Sequence, residues 1–246
     1  MPNVKRIVIV GGVAGGASTA ARARRLDEDA EVILFERGEH ISFANCGLPY
    51  HIGGVIEDRK KLLVQTPEAM KKRFGIDVRV RSEVVQIDRQ AKEVIVRDLA
   101  DGREYAQAYD ALVLSPGAEP IRPPIEGIDS PGVFTLRNMA DMDAIIGALD
   151  TGTPERAVVV GGGYIGLEMT EALRERGVAV TLVEMADQVF IPADREMVTP
   201  LHQQLQLQGV DLRLNNALQA ITGDGEGLRV ELKDGDHVAC GMVILA

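Results

Sequence analysis

ERAVVVGGGYIGLEMTEALRERGVAVTLVE, residues 155–184, decides the fold. Four apolar residues, Ala157 to Val160, run into Gly161-Gly162-Gly163-Tyr164-Ile165-Gly166. A helical stretch follows, and a second apolar run ends at Glu184. Strand, G-x-G-x-x-G turn, helix and strand in this order form the phosphate-binding start of a doubly wound α/β unit. Gly161 permits the tight turn, Gly163 lets backbone approach a pyrophosphate, and Gly166 lets helix and strand pack closely. The helix start offers unpaired N–H groups and partial positive charge to phosphates. Glu184 stands where a carboxylate accepts from a ribose 2′-hydroxyl, and it would repel a 2′-phosphate. Met185-Ala186 supply no arginine to receive that phosphate, so NADH is expected over NADPH.

The same pattern occurs earlier. Residues 5–36, KRIVIVGGVAGGASTAARARRLDEDAEVILFE, repeat the strand, glycine cluster, helix and Glu-terminated strand. The likeness extends further: 75–115 matches 209–245, each reading as strand, two-strand meander with an Asp-Gly turn, and buried closing strand. The expected fold is therefore α/β, with two Rossmann-like units of parallel sheet plus β-meander, the second inserted into the first. The expected divisions are 1–118, a connection over 119–152, and 153–246. Residues 116–132 are rich in proline and glycine, which disfavours regular structure there. A short helix is expected from Met139 to Leu149.

The first loop, Gly11-Gly12-Val13-Ala14-Gly15-Gly16, keeps the first and third glycines of the pattern and has Val13 at the second. It reads either as a second dinucleotide site closed by Glu36 or as a duplicate that has lost its ligand. Two sites would take a flavin and a nicotinamide, between which hydride can pass.

Composition excludes several classes. There are 27 Lys plus Arg against 37 Asp plus Glu, a net charge of −10, which argues against a general nucleic-acid binder. Trp is absent and aromatics make up 4%, which disfavours base-stacking platforms. No apolar run reaches the ~18 residues that cross a bilayer. The opening Lys5-Arg6 and apolar run read as a β-branched strand entering a glycine turn rather than a secretory leader, and the expected location is the cytoplasm. The four histidines have no metal-ligand spacing, so no metal is expected.

Two cysteines are present, Cys46 and Cys240. Cys46 lies in Ser42-Phe43-Ala44-Asn45-Cys46-Gly47-Leu48-Pro49-Tyr50, a loop where a thiol can act as nucleophile or pack as a small hydrophobe. Cys240 sits in an apolar stretch and reads as core. No C-x-x-C or C-x4-C pair forms an intrachain dithiol. Arg22 and Arg25 share a helix face and serve either a solvated surface or an anionic ligand.

The order GGVAGGASTAARARR (11–25), SFANCGLPYHIGG (42–54), YDALVLSPGAEP (109–120) and VVVGGGYIGLEM (158–169) resembles the flavin-dependent pyridine nucleotide-disulfide oxidoreductases. Within them it is similar to the single-cysteine branch of coenzyme A-disulfide reductases and NADH-dependent persulfide reductases. The resemblance implies FAD on the first unit and NAD(P)H on the second. Hydride then passes to the flavin and electrons reach Cys46, whose partner is a CoA disulfide or persulfide. It implies FAD contacts by Gly11, Gly12, Val13, Ala14, Gly15, Gly16, Glu36, Arg37, Val84 (through backbone), Ser115, Pro116, Gly117 and Arg137. It assigns coenzyme A contacts to Ser18, Arg22, Arg25, Ser42 and Asn45.

Two departures matter. The NADH oxidase and peroxidase branch carries a histidine where Ala14 stands, which favours disulfide or persulfide chemistry over that alternative. A lysine that contacts coenzyme A in some relatives falls near Phe74. The family also continues past this length, through a second FAD segment and a dimerisation domain. A truncated, non-catalytic nucleotide-binding fragment is therefore the third expectation, and a homodimer is implied only where that domain exists.

Overall fold

The computed structural model describes residues 5–152, 154–223 and 227–246. In chain order its elements begin with β1 (Arg6–Val10), α1 (Ala14–Leu26), β2 (Glu31–Phe35), α2 (Leu48–Ile52), α3 (Pro67–Phe74) and β3 (Asp77–Arg79). Then come β4 (Ser82–Asp88), β5 (Glu93–Asp98), β6 (Glu104–Ala108), β7 (Ala111–Leu114), β8 (Val133–Thr135) and α4 (Met139–Gly152). The rest are β9 (Arg156–Val160), α5 (Tyr164–Glu175), β10 (Ala179–Val183), α6 (Arg195–Leu207), β11 (Asp211–Arg213), β12 (Leu218–Gly223), β13 (Leu228–Leu232), β14 (His237–Cys240) and β15 (Met242–Leu245). They form two compact units, Met1–Ala44 with Lys60–Ala118, and Asn45–Arg59 with Glu119–Ala246.

In the first unit β3-β2-β1-β7 make a parallel sheet and β4-β5-β6 an antiparallel one. Successive side chains of a strand point to opposite faces. Ile9, Val32 and Leu34 accordingly meet Ala20 of α1 and Met70 of α3. Val8, Ile33 and Phe35 meet Val94 and Val96 of the antiparallel sheet. Both faces of the parallel sheet are covered, which is why its strands read as unbroken apolar runs. The segment TPEAMKKRFG carries its own punctuation: the Thr66 hydroxyl accepts from the Ala69 amide at 3.2 Å, Pro67 opens α3, and Gly75 closes it at φ +61°.

The second unit repeats this plan. Its parallel sheet runs β11-β10-β9-β15-β8, and β12-β13-β14 form the antiparallel sheet. Val158, Val183 and Val243 pack against Ile221, Val230 and Val238. Strands β3, β2, β1 and β7 correspond to β11, β10, β9 and β15, and β8 is an addition at the edge.

Three features differ from the sequence reading. The meander has three strands in each copy, not two. Its first strand, β4, is exposed along its second half and carries little apolar signal. Residues 119–152, expected as a connection, fold into the second unit, where Val133 to Thr135 pair with Val243 to Leu245. The segment Asn45–Arg59, expected within the first unit, also joins the second: Leu48, Pro49 and Ile52 of α2 are buried, and α2 packs on α4 and α5. No described helix is long and apolar enough to cross a membrane.

Candidate functional site

In the second unit Gly161 lies at φ +110° and its amide donates to the Val183 carbonyl at 2.8 Å. A Cβ there would sit 2.3 Å from the Ala246 carbonyl oxygen, and one on Gly166 would sit 1.9 Å from the Gly161 oxygen. Both positions exclude any side chain. A Cβ on Gly163 would meet nothing within 4 Å. Gly163 therefore leaves open space at the start of α5, which has neither a side-chain cap nor an acidic residue in its first turn. Unpaired amides facing open space suit the phosphates of a dinucleotide.

The first loop has the same construction. Gly11 lies at φ +93°, its amide donates to Phe35 at 2.8 Å, and its Cβ would fall 2.0 Å from the Ser115 oxygen. A Cβ on Gly16 would fall 1.7 Å from the Gly11 oxygen. Val13 occupies the position that corresponds to Gly163, where the chain itself does not require glycine. Helix α1, which opens at Ala14, likewise lacks a side-chain cap and first-turn acids. The described residues therefore fit a dinucleotide at both loops.

The glutamates are bound in matching ways. One Glu184 oxygen accepts the Gly162 amide at 2.6 Å and the other the Ala186 amide at 2.8 Å. Glu36 accepts the Gly12 and Gly38 amides, both at 2.7 Å. An ionised carboxylate has about four lone-pair sites, so each retains capacity for ribose hydroxyls. Beyond Glu184, Met185 is 75% exposed, and no cation stands at Ala186.

Around the first loop, Ser115 anchors to Val10 through a 2.7 Å amide bond, and its Oγ lies 3.2 Å from where a Gly15 Cβ would be. Pro116 and Gly117 follow, the latter at φ +73°. Val84 sits at a register irregularity of β4 with its side chain packed inward. Arg37 pairs with Glu83 at 3.9 Å. Ser42 takes a left-handed φ of 45°, and its amide donates to Gly12 at 2.9 Å.

Ser18, Arg22 and Arg25 are exposed on α1. The Arg25 and Arg73 guanidiniums lie 5.9 and 5.0 Å from the Phe74 ring centre. Two guanidiniums thus flank Phe74. Arg24, by contrast, is structural: its Nε donates to the Phe74 carbonyl at 2.7 Å.

Asn45 and Cys46 are exposed in a 3-10 turn, Asn45–Gly47, that leads into α2, and Cys46 is a free thiol. They and Arg137 belong to the second unit, whereas Ser42 and the Gly11–Gly16 loop belong to the first. Arg137 pairs with Glu119. Cys240 is buried, and that burial pushes its thiol up to about 11. No metal-binding group of His, Cys, Asp or Glu occurs among the described residues.

One residue escaped the sequence reading. Phe190, at φ +51°, donates its amide to Gly162 at 2.8 Å, as Ser42 does to Gly12. Its ring stands edge-on to Tyr164, with 4.6 Å between centres. The available signal was the repeat itself, since Phe190 stands at the same offset from Glu184 as Ser42 from Glu36.

Known proteins are similar to this chain in sequence and fold. The coenzyme A disulfide reductase of Staphylococcus aureus (strain JH9) is 40% identical over 219 residues, 89% of this chain and 49% of the relative. The crystal structure of reduced Bacillus anthracis CoADR-RHD superposes with a TM-score of 0.96 at 52% identity, covering 99% of this chain and 44% of that one. An NAD-dependent persulfide reductase from A. fulgidus gives a TM-score of 0.94 at 35% identity, covering 98% and 45%. The chain spans about half the length of the curated relatives it matches. The family model for pyridine nucleotide-disulphide oxidoreductases matches residues 5–246, and with both glycine loops and their glutamates in place the chain belongs to that family of FAD- and pyridine nucleotide-dependent reductases.

Proposed function

We propose that the chain passes reducing equivalents from NADH through FAD and Cys46 to a coenzyme A disulfide or persulfide. The observation that carries this reading is the exposed, free Cys46 in a chain whose other cysteine is buried. With no neighbouring thiol to form an intrachain disulfide, Cys46 pairs with the sulfur of the substrate. The first unit holds FAD through the Gly11–Gly16 loop, Glu36 and Ser115–Gly117, and the second holds NADH through Gly161–Gly166 and Glu184. When bound, the nicotinamide and flavin supply hydride and electron transfer.

The protein's own part is to bind, orient and exchange sulfur. The Cys46 thiolate attacks the acceptor sulfur that carries coenzyme A; the other sulfur leaves as coenzyme A thiolate from a disulfide or as hydrosulfide from a persulfide, and the mixed disulfide so formed is cleaved by two electrons to the Cys46 and coenzyme A thiolates. Arg25 and Arg73 beside Phe74, with Arg22 exposed one helical turn before Arg25, suit the phosphates of coenzyme A. The similarity to a coenzyme A disulfide reductase and a persulfide reductase supports both acceptor classes.

The test is Cys46→Ser in the FAD-loaded protein. Bleaching of the flavin by NADH is expected to persist, and reduction of coenzyme A disulfide and persulfide to cease. Acceptor reduction at the unmodified rate would assign Cys46 a structural role.

A further inference from the structure

The Cys46 turn is fastened to the second unit by three ties beyond the ordinary packing of α2. Gly53, at the end of α2, approaches so closely that a Cβ on it would lie 3.1 Å from the Ala172 Cα of α5. Arg176, at the end of α5, donates from Nη1 to the Ile52 carbonyl at 3.1 Å and from Nη2 to Asp150 of α4. Arg59 donates to Asp143 of α4 through a two-pronged fork, Nε to Oδ1 at 2.8 Å and Nη2 to Oδ2 at 2.7 Å.

Between these ties the chain reverses. The Gly53 amide returns to Pro49 at 2.9 Å, Gly54 takes φ +87°, and the Ile56 amide returns to Tyr50 at 3.1 Å. His51 closes the same turn by bonding through Nδ1 to the Ile56 carbonyl. A helix of only five residues has little stability of its own. Burial of Leu48, Pro49 and Ile52 seats α2, and this set of contacts fastens its far end.

We infer that the Arg59–Asp143 fork, with the Arg176–Ile52 tie, is a positioning clamp for the Cys46 turn. The inference rests on Cys46 as the sulfur nucleophile. Arg59, Asp143 and Arg176 are positioning residues and take no part in bond making. Single surface ion pairs contribute modestly, but a forked guanidinium–carboxylate pair fixes direction as well as distance. The ties hold both ends of residues 52–59 and so fix the C-terminal end of α2, whose N-terminal end carries the Cys46 turn. Released at Arg59, the loop from Gly53 to Asp58 gains freedom, and the short helix frays toward Cys46.

Three variants test the clamp: Asp143→Asn, Arg59→Lys, and the exchanged pair Arg59→Asp with Asp143→Arg. Hydrogen exchange of residues 45–56 and iodoacetamide labelling of Cys46 are followed in the purified chain. In Asp143→Asn the Gly53 and Ile56 amides are expected to exchange about fivefold faster and Cys46 to label about threefold faster, with α1 unchanged. Arg59→Lys, which keeps charge but loses the fork, should fall between, and the exchanged pair should restore both rates. In the FAD-loaded protein, flavin reduction by NADH should stay within about twofold while coenzyme A disulfide reduction falls about fivefold. Unchanged exchange over 45–56, acceleration spread equally through β9 and β10, parallel loss of both half-reactions, or failure of the exchanged pair to restore would each overturn the clamp. A Cys46→Ser protein that still reduces the acceptor removes the nucleophile assignment alone, because exchange in the three variants decides the clamp separately.

Discussion

Glu184 accepts the Gly162 amide at 2.6 Å, so the carboxylate proposed for the ribose also secures the glycine loop proposed for the phosphates. Glu36 does the same for Gly12 in the first unit. In each copy one carboxylate therefore ties the end of the second strand to the glycine loop.

Removing that carboxylate should disturb both halves. Glu184→Ala leaves two amides without their acceptor, a loss of about 1–3 kcal/mol in stability and in NADH binding together. Calorimetric unfolding and NADH titration check the pair of effects. Glu184→Arg should shift the kcat/KM ratio toward NADPH, because a guanidinium receives a 2′-phosphate that a carboxylate repels. An unchanged ratio would take Glu184 out of the ribose site.

The glycines of the second loop should separate cleanly by role. Gly166→Ala drives a methyl into the Gly161 carbonyl, a backbone atom that has no rotamer to escape into. We expect a loss of about 3 kcal/mol, read as a lower midpoint in urea. Gly163→Ala meets open space. It should cost under about 1 kcal/mol in folding, yet raise the NADH dissociation constant about tenfold or more by occupying the side on which the pyrophosphate arrives. Equal stability of the two variants would contradict the packing described for Gly166.

Cys240 should impose an alkaline limit on stability. Burial holds its thiol up to about 11, above the ordinary value of about 8.5. The folded protein therefore keeps that proton after the unfolded chain has released it. The contribution is fully present below about pH 8.5 and is lost as pH rises toward 11, an effect on the order of 3 kcal/mol. Urea unfolding of the parent and of Cys240→Ala between pH 8 and 10.5 checks this, the alanine variant showing the shallower fall. Labelling at neutral pH should modify Cys46 in the folded protein and both cysteines in denaturant.

The sequence carried the repeat because its strands are short apolar runs bounded by glycines, and a buried strand between two layers has no other way to read. The loops were legible at Gly161 and Gly166, where backbone meets backbone and only one residue type fits. What stayed hidden depends on partners distant in the chain. β8 is three residues, VFT, that become a strand only by pairing with β15. Residues 45–59 join the second unit because α2 finds its apolar neighbours on α4 and α5, a choice that no local pattern encodes. Phe190 and Ser42 hold left-handed backbone angles without being glycine, fixed by amide bonds into the loops rather than by propensity.

The tight seat of the first glycine in each loop has a consequence for the order of assembly. Gly11 rests against the carbonyl of Ser115, and Gly161 against that of Ala246. In both copies the turn precedes, by about 85 to 105 residues, the carbonyl that confines it. During synthesis a chain that has emerged only through α1 and β2 has the residues of its loop but not the wall behind it. The glycine turn of each copy thus takes its seat only once the strand that carries the confining carbonyl has paired beside it. A dinucleotide that arrived earlier would meet a loop still without its wall.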